Sequence, residues 1–224
     1  MELANRHLTR QSDLIPAEVL GEHITIIGAG AIGSFVTLAL AKMGFENLTV
    51  IDFDTVEIEN MNSQMYPYDA IGKPKVVALK HMVSVFANVE IDARCEKYEK
   101  GMFKGIVISA VDSMAVRKLI WDNHKGMALA TKLIIDPRMG AEQALCYVAN
   151  PMSDKDISMY EKTLYSDENA VQERCTAKST IYTVLAISSH VAKIVKDYAT
   201  KSVPYTRILQ WNIKDNAQEC VAAK

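Results

Sequence analysis

Apolar positions along the chain fall into two alternating rhythms. Short β-branched runs at residues 23–28, 48–52, 89–95, 106–111 and 133–136 have the length and make-up of buried strands. Between them, residues 34–43, 73–87 and 113–124 repeat their apolar side chains at helical spacing. Strand and helix in alternation predict an α/β fold, a Rossmann-type mostly parallel sheet with helices on both faces. A short helical segment at 16–20 precedes the series. The uncharged run 24–41 is long enough to meet a crude length rule for a membrane span. Its interior points elsewhere. Gly28, Gly30 and Gly33 lie where Ile24, Thr25, Ile26 and Ile27 give way to a helical pattern, which describes a buried strand, a glycine turn and a helix.

From residue 141 the rhythm changes. Residues 143–148 read as a strand, 154–163 as a short polar helix and 166–174 as a loop. A long helix follows at 176–198, with Ile181, Val184, Leu185, Val191, Ile194 and Val195 as its inner stripe. It has more apolar positions than one stripe needs, which predicts a homodimer. Runs at 207–213 and 217–222 around Asp215 and Asn216 predict a C-terminal antiparallel hairpin.

Composition narrows the partners. With 49% apolar residues, 23% charged residues and a net charge of −2, the chain has the profile of a soluble globular protein. It has no polybasic tract, so duplex nucleic acid is not an expected partner. The start, with Glu2, Arg6, Arg10 and Asp13, has no apolar core of a secretory signal. Four cysteines, Cys95, Cys146, Cys175 and Cys220, lack CxxC spacing, which argues against a disulfide framework and a tetrathiolate zinc site. A cytoplasmic protein away from the membrane is expected.

The segment Gly28-Ala29-Gly30-Ala31-Ile32-Gly33 is a GxGxxG. Glycine there permits the tight turn, lets backbone approach phosphate and allows close helix packing, while the helix start favours an anion. Asp52, ending the second strand about 20 residues later, is placed for ribose hydroxyls. The motif in this context predicts nucleotide binding without naming the nucleotide; the alternative is a bare packing turn.

The stretch Asp52-Phe53-Asp54-Thr55-Val56-Glu57, continuing to Asn60-Met61-Asn62-Ser63-Gln64, resembles the ThiF/MoeB/HesA family, bacterial relatives of ubiquitin-activating enzymes. Thr9-Arg10-Gln11, Gly72-Lys73-Pro74-Lys75, Val111-Asp112-Ser113 with Ala115-Val116-Arg117, Arg138-Met139 and the Cys175 loop agree in the same order. The resemblance implies an ATP-dependent adenylyltransferase that activates a carboxylate by joining it to AMP. It further implies that Asp52 holds the ribose and that Asp54, Asn60, Asn62, Gln64 and Arg138 lie around the nucleotide, beside Gly28, Gly30, Ala31 and Gly33. Lys75 would meet the phosphates, Asp112 would hold Mg²⁺, and Arg10 would cross from a partner subunit onto the triphosphate. The chemistry needs these types, because a carboxylate attacking the α-phosphate brings two anions together. Each also has a plainer reading: a solvated Lys75, an Asp112 that caps the helix near Ser113, turn residues at Asn60 and Asn62, and a surface cation at Arg10. Residues 1–224 are expected to form one adenylation domain, with a nucleotide core at about 20–140 and a substrate and dimer part at about 141–224.

The chain departs from the family at Ser63, where arginine is common. Serine donates a hydrogen bond but brings no charge, so Lys73 or Arg138 is expected to compensate, with Arg117 as a structural ion-pair partner. The paired CxxC knots of many relatives are missing, so no structural zinc is expected. Cys175 lies where the family forms a thioester or persulfide. Flanking Arg174 and Lys178 at a helix start would favour its thiolate, and a buried apolar thiol is the equal alternative. The five histidines and eleven methionines read as core or surface residues. The implied substrate is the C-terminal carboxylate of a ubiquitin-like or sulfur-carrier protein or a peptide, recognised around residues 147–174. Two other readings stay open: a catalytically inactive scaffold subunit, which Ser63 would suit, and a nicotinamide or flavin oxidoreductase, which leaves residues 54–64 unexplained.

Overall fold

In the computed structural model, which describes residues 6–101, 103–126, 130–165, 179–201 and 206–222, eight strands form one sheet in the order β3-β2-β1-β4-β5-β6-β7-β8. The parallel part comprises β1 (Ile24–Ile27), β2 (Leu48–Ile51), β3 (Asp92–Arg94), β4 (Gly105–Ser109) and the first half of β5 (Thr131–Gly140). Strands β6 (Gln143–Ala149), β7 (Thr206–Asn212) and β8 (Ala217–Ala222) extend it antiparallel. The order reverses between β1 and β4, which opens a crevice at their C-terminal ends.

Alternate residues of the central strands feed two cores. Ile24, Ile26, Ile106, Ile108, Leu133 and Ile135 pack under α1 (Ala31–Lys42), α2 (Lys75–Ala87) and α5 (Ile181–Thr200). Ile27, Val107 and Ile134 face α3 (Met114–His124) and α4 (Asp154–Glu161), against Ile120, Trp121 and Tyr160. Strands β1 and β4 are buried along their whole length, so both faces must be apolar. No helix of the described residues is long and apolar enough to cross a membrane. The run at 24–41 is strand, turn and helix.

Three expectations about the elements change. Strand β5 runs beyond 133–136 through Pro137, which pairs with Cys146. Pairing with β4 ends at Ile135, so past that point one side of β5 is an open edge where a missing N–H costs little. Strand β3 is shorter than 89–95, although Val89 and Ile91 on its approach are buried. On α5, Val184, Val191, Ile194 and Val195 are buried, but Ile181 and Leu185 are 42% and 48% exposed and do not belong to the inner stripe. The stretch 166–178, with the expected loop, Cys175 and the start of the predicted helix, lies outside the described residues.

The hairpin forms where expected, turning through Asn216 at φ 53°. Cys146 and Cys220 both oppose Leu209 from the strands on either side. Two strand spacings put them roughly 10 Å apart, too far to share one zinc ion. Burial also pushes the Cys146 thiol well up. His124 is fully buried, stacked against Tyr98 and Phe103, with its pKa lowered chiefly by burial.

Candidate active site

The glycine turn sits at the C-terminal end of β1, on the rim of the crevice. Gly28 has φ 98°, and a Cβ there would collide with the Ala110 carbonyl, its carbon at 2.8 Å. A Cβ on Gly33 would collide with the Gly28 carbonyl, its carbon at 2.9 Å. These two glycines are required by packing alone. Gly30 differs: nothing lies within 4 Å of where its Cβ would be. It is the N-cap of α1 and, having no side chain, gives the helix start no capping hydrogen bond; such a helix start favours an anion.

Asp52 is tied to this turn. Its Oδ2 accepts from Ala29 N at 2.6 Å and its Oδ1 from Asp54 N at 2.8 Å. Each oxygen keeps a second lone pair for a hydroxyl donor.

Beyond Asp52 the chain folds into a cleft of about 370 Å³ lined by Phe53, Asp54, Thr55, Glu57 and Lys75. A bridge between Thr55 and Pro74 and the bond from Val56 N to Lys73 O set the start of α2 beside it. Lys75 is the first residue of α2, is 7% exposed and pairs with Asp54 at 3.0 Å. The solvated reading of Lys75 is thereby replaced. A buried cation at a helix start works against the helix dipole, and no acid occupies that first turn. Among the described residues the ion-pair partner of Lys75 is Asp54, whose side chain is 47% exposed. An anionic ligand would complete the pairing. Lys97 stands over the Phe53 ring, 4.9 Å from its centre.

Asn60 closes a capping box with Glu57 and its carbonyl accepts from Ser63 and Gln64, so it shapes a turn of the chain. Asn62 is exposed and Ser63 is 5% exposed. Gln64 buries its Oε1 with no partner among the described residues. Tyr66 donates its hydroxyl to Ala29 O at 2.5 Å, and Met65 N donates to Ser34 Oγ at 3.2 Å. Burial, then the charges of Asp52 and Asp54, push the Tyr66 pKa upward.

Across the crevice, Asp112 follows β4 and is exposed. Ser113 caps α3, accepting from Val116 N, so that task does not fall to Asp112. An exposed carboxylate just past β4 suits Mg²⁺, a hard ion that takes one or two carboxylates plus phosphate oxygens and water. No group of three or more His, Cys, Asp or Glu side chains forms a metal cluster among the described residues.

The two arginines belong to a buried network. Arg117 meets Asp136 and the carbonyls of Ser109, Val111 and Pro137. Arg138 donates to Asp136 Oδ2 at 2.7 and 3.0 Å and to Thr163 O at 3.0 Å, and lies over the Tyr147 ring. Tyr160 donates to the same carboxylate oxygen at 2.8 Å. Arg138 is committed to Asp136, and no bond links it to the cleft among the described residues.

Arg10 stands on a 3-10 helix, Arg6–Gln11, beside the C-terminal end of α1. Gln11 Nε2 donates to Met43 O, which follows the last turn of α1, at 2.6 Å. The glycine turn is at the first turn of that 12-residue helix, about 18 Å away. The structure thus brings together the glycine turn, Asp52, Asp54, Lys75, Asn60, Gln64 and Asp112, and leaves Arg10 and Arg138 apart. Tyr66, Glu57 and Thr55 join the site unannounced; only Thr55 and Glu57 lie within the stretch that signalled it.

The sequence profile of the ThiF family matches residues 16–219. The NEDD8-activating enzyme E1 catalytic subunit of Arabidopsis thaliana is 38% identical over 104 residues, covering 43% of this chain and 23% of that protein. The tRNA threonylcarbamoyladenosine dehydratase of Bacillus subtilis is 32% identical over 81 residues, covering 36% of this chain and 30% of that protein. This chain matches less than a third of either relative's length. Among solved structures, E. coli MccB with ATP has a similar fold, with a TM-score of 0.75 at 13% identity over 97% of this chain and 71% of that one.

Proposed function

The chain belongs to the ThiF family, and from that footing we propose that it adenylates a carboxylate with ATP. The buried lysine carries the reading: Lys75 is held at the cleft, paired among the described residues with a half-exposed carboxylate. In the proposed reaction a carboxylate oxygen forms a bond to the α-phosphorus and the bond to the bridging oxygen breaks, releasing pyrophosphate. The amides of Gly30 and Ala31 bind phosphate, Asp52 accepts from the ribose and Lys75 neutralises charge on the triphosphate. Asp112 would hold magnesium, which supplies charge to stabilise the departing pyrophosphate.

The substrate class follows the E1-type relatives: the C-terminal carboxylate of a ubiquitin-like or sulfur-carrier protein, or of a peptide. Residues 1–224 act as one unit, with the nucleotide at the core strands and the carrier at the later part. A cytoplasmic setting suits an ATP user. The test is ATP:pyrophosphate exchange with a small protein ending in Gly-Gly. Asp112→Asn is expected to lower exchange by about a hundredfold while leaving the fold intact; an unchanged rate would remove Asp112 from the reaction. ATP binding without exchange for any carboxylate would turn the reading toward a scaffold subunit, and tight NADH binding without ATP toward an oxidoreductase.

The same reading makes the protein a homodimer. Ile181, Tyr182 and Leu185 form an exposed apolar face on the first turns of α5, and Arg10 stands too far from its own cleft to serve it. Light scattering is expected to return twice the chain mass. A fully active monomer would sink both points.

A further inference from the structure

The peptide joining Ala29 to Gly30 is held by one side chain from outside the turn. Its carbonyl, Ala29 O, accepts the buried Tyr66 hydroxyl at 2.5 Å. A trans peptide is planar, so its C=O and N–H point in opposite directions. Drawing the carbonyl of Ala29 inward therefore turns the N–H of Gly30 the opposite way, and among the described residues nothing lies within 4 Å of where a Cβ on Gly30 would sit. On the preceding peptide, Asp52 takes the Ala29 N–H, and the Gly28 carbonyl correspondingly points at the position Gly33 leaves vacant by lacking a Cβ. Both peptides flanking Ala29 are thus oriented by side chains distant in sequence. Glycine at 30 makes this restraint necessary, because its backbone alone does not prefer one orientation of that peptide.

We propose that Tyr66 is a positioning residue of the nucleotide site, whose hydroxyl aims the Gly30 N–H at a phosphate of the bound nucleotide. The inference rests on the adenylation reading for the ligand, but the geometry of the turn stands without it. Gln64 and Met65 precede Tyr66, and the bond from Met65 N to Ser34 Oγ fastens this segment to α1. The stretch that carries Asn60 and Gln64 is therefore pinned once to the glycine turn and once to α1, and the buried Oε1 of Gln64, without a partner among the described residues, lies on it. Burial pushes the Tyr66 pKa further up, which favours the protonated, donating form of its hydroxyl.

Tyr66→Phe keeps the ring and removes only the donor. ATP is expected to bind about tenfold more weakly to this variant, as suits the loss of one aimed hydrogen bond to a charged group. Adenosine, which has no phosphate, should bind as it does to the unaltered protein, and the melting temperature should fall by no more than roughly 4 °C. In the nucleotide-free protein the Gly30 amide resonance should shift or broaden, while Tyr98→Phe leaves it in place. Equal weakening of ATP and adenosine, or an unmoved Gly30 resonance with unchanged ATP affinity, would overturn the proposal. If the unaltered protein binds no ATP, the adenylation reading fails, and the Gly30 resonance still decides whether Tyr66 orients the turn.

Discussion

Lys75→Ala is expected to reduce ATP:pyrophosphate exchange by about two to three orders of magnitude, the loss seen when one preorganised charge-stabilising group is removed. The fold should survive. The variant gives up an ion pair with a half-exposed carboxylate, worth under about 1 kcal/mol after solvent screening, and takes an unfavourable cation off a helix start. On the proposed reading Lys73 compensates for the missing charge at Ser63, and Lys73→Ala is expected to have a smaller effect, about tenfold. Its carbonyl is bonded to Val56, within the segment that walls the cleft. Arg138→Ala should instead act on stability, because Arg138 is 11% exposed at its side chain and shares the buried Asp136 with Arg117. Exchange kinetics and thermal melting on the three variants separate these outcomes. Lys75→Ala with more than a tenth of normal exchange would remove the lysine from its assigned place.

The second large effect separates two glycines of one motif. Gly33→Ala is expected to destabilise the protein by about 3 kcal/mol or more, since the new methyl meets rigid backbone at Gly28 and no rotamer can relieve it. Gly30→Ala has open space for its methyl, so it should melt nearly as the unaltered protein does. That methyl would occupy the approach to the helix start, and ATP affinity should fall. If Gly33→Ala melts normally, or if Gly30→Ala binds ATP unchanged, the division of the motif into a packing glycine and a ligand-facing glycine is wrong.

The central strands β1 and β4 were legible because they are buried on both faces and read as unbroken apolar runs, each followed by a helical period. The glycine turn was legible for a related reason: its residue types answer to local backbone constraints. What escaped was set by partners distant in sequence. Pro137 looked like the end of a strand because local propensity cannot register that β4 has stopped pairing by then. Ile181 and Leu185 fit the helical period, yet periodicity does not distinguish an apolar face that meets the core from one that meets solvent or another chain. Arg138 looked available for phosphate until Asp136, Thr163 and Tyr147 were seen to hold it. Tyr66 carries no signal at all in one dimension, because its role depends on a carbonyl 37 positions earlier.

Arg10 stands a helix length from the amides above Gly30, which makes the pair of subunits, on the proposed reading, the smallest complete catalyst. Such a protein would be switched by its own abundance. Dilution below the dissociation constant of the pair would silence every cleft at once, without altering a bond inside either chain.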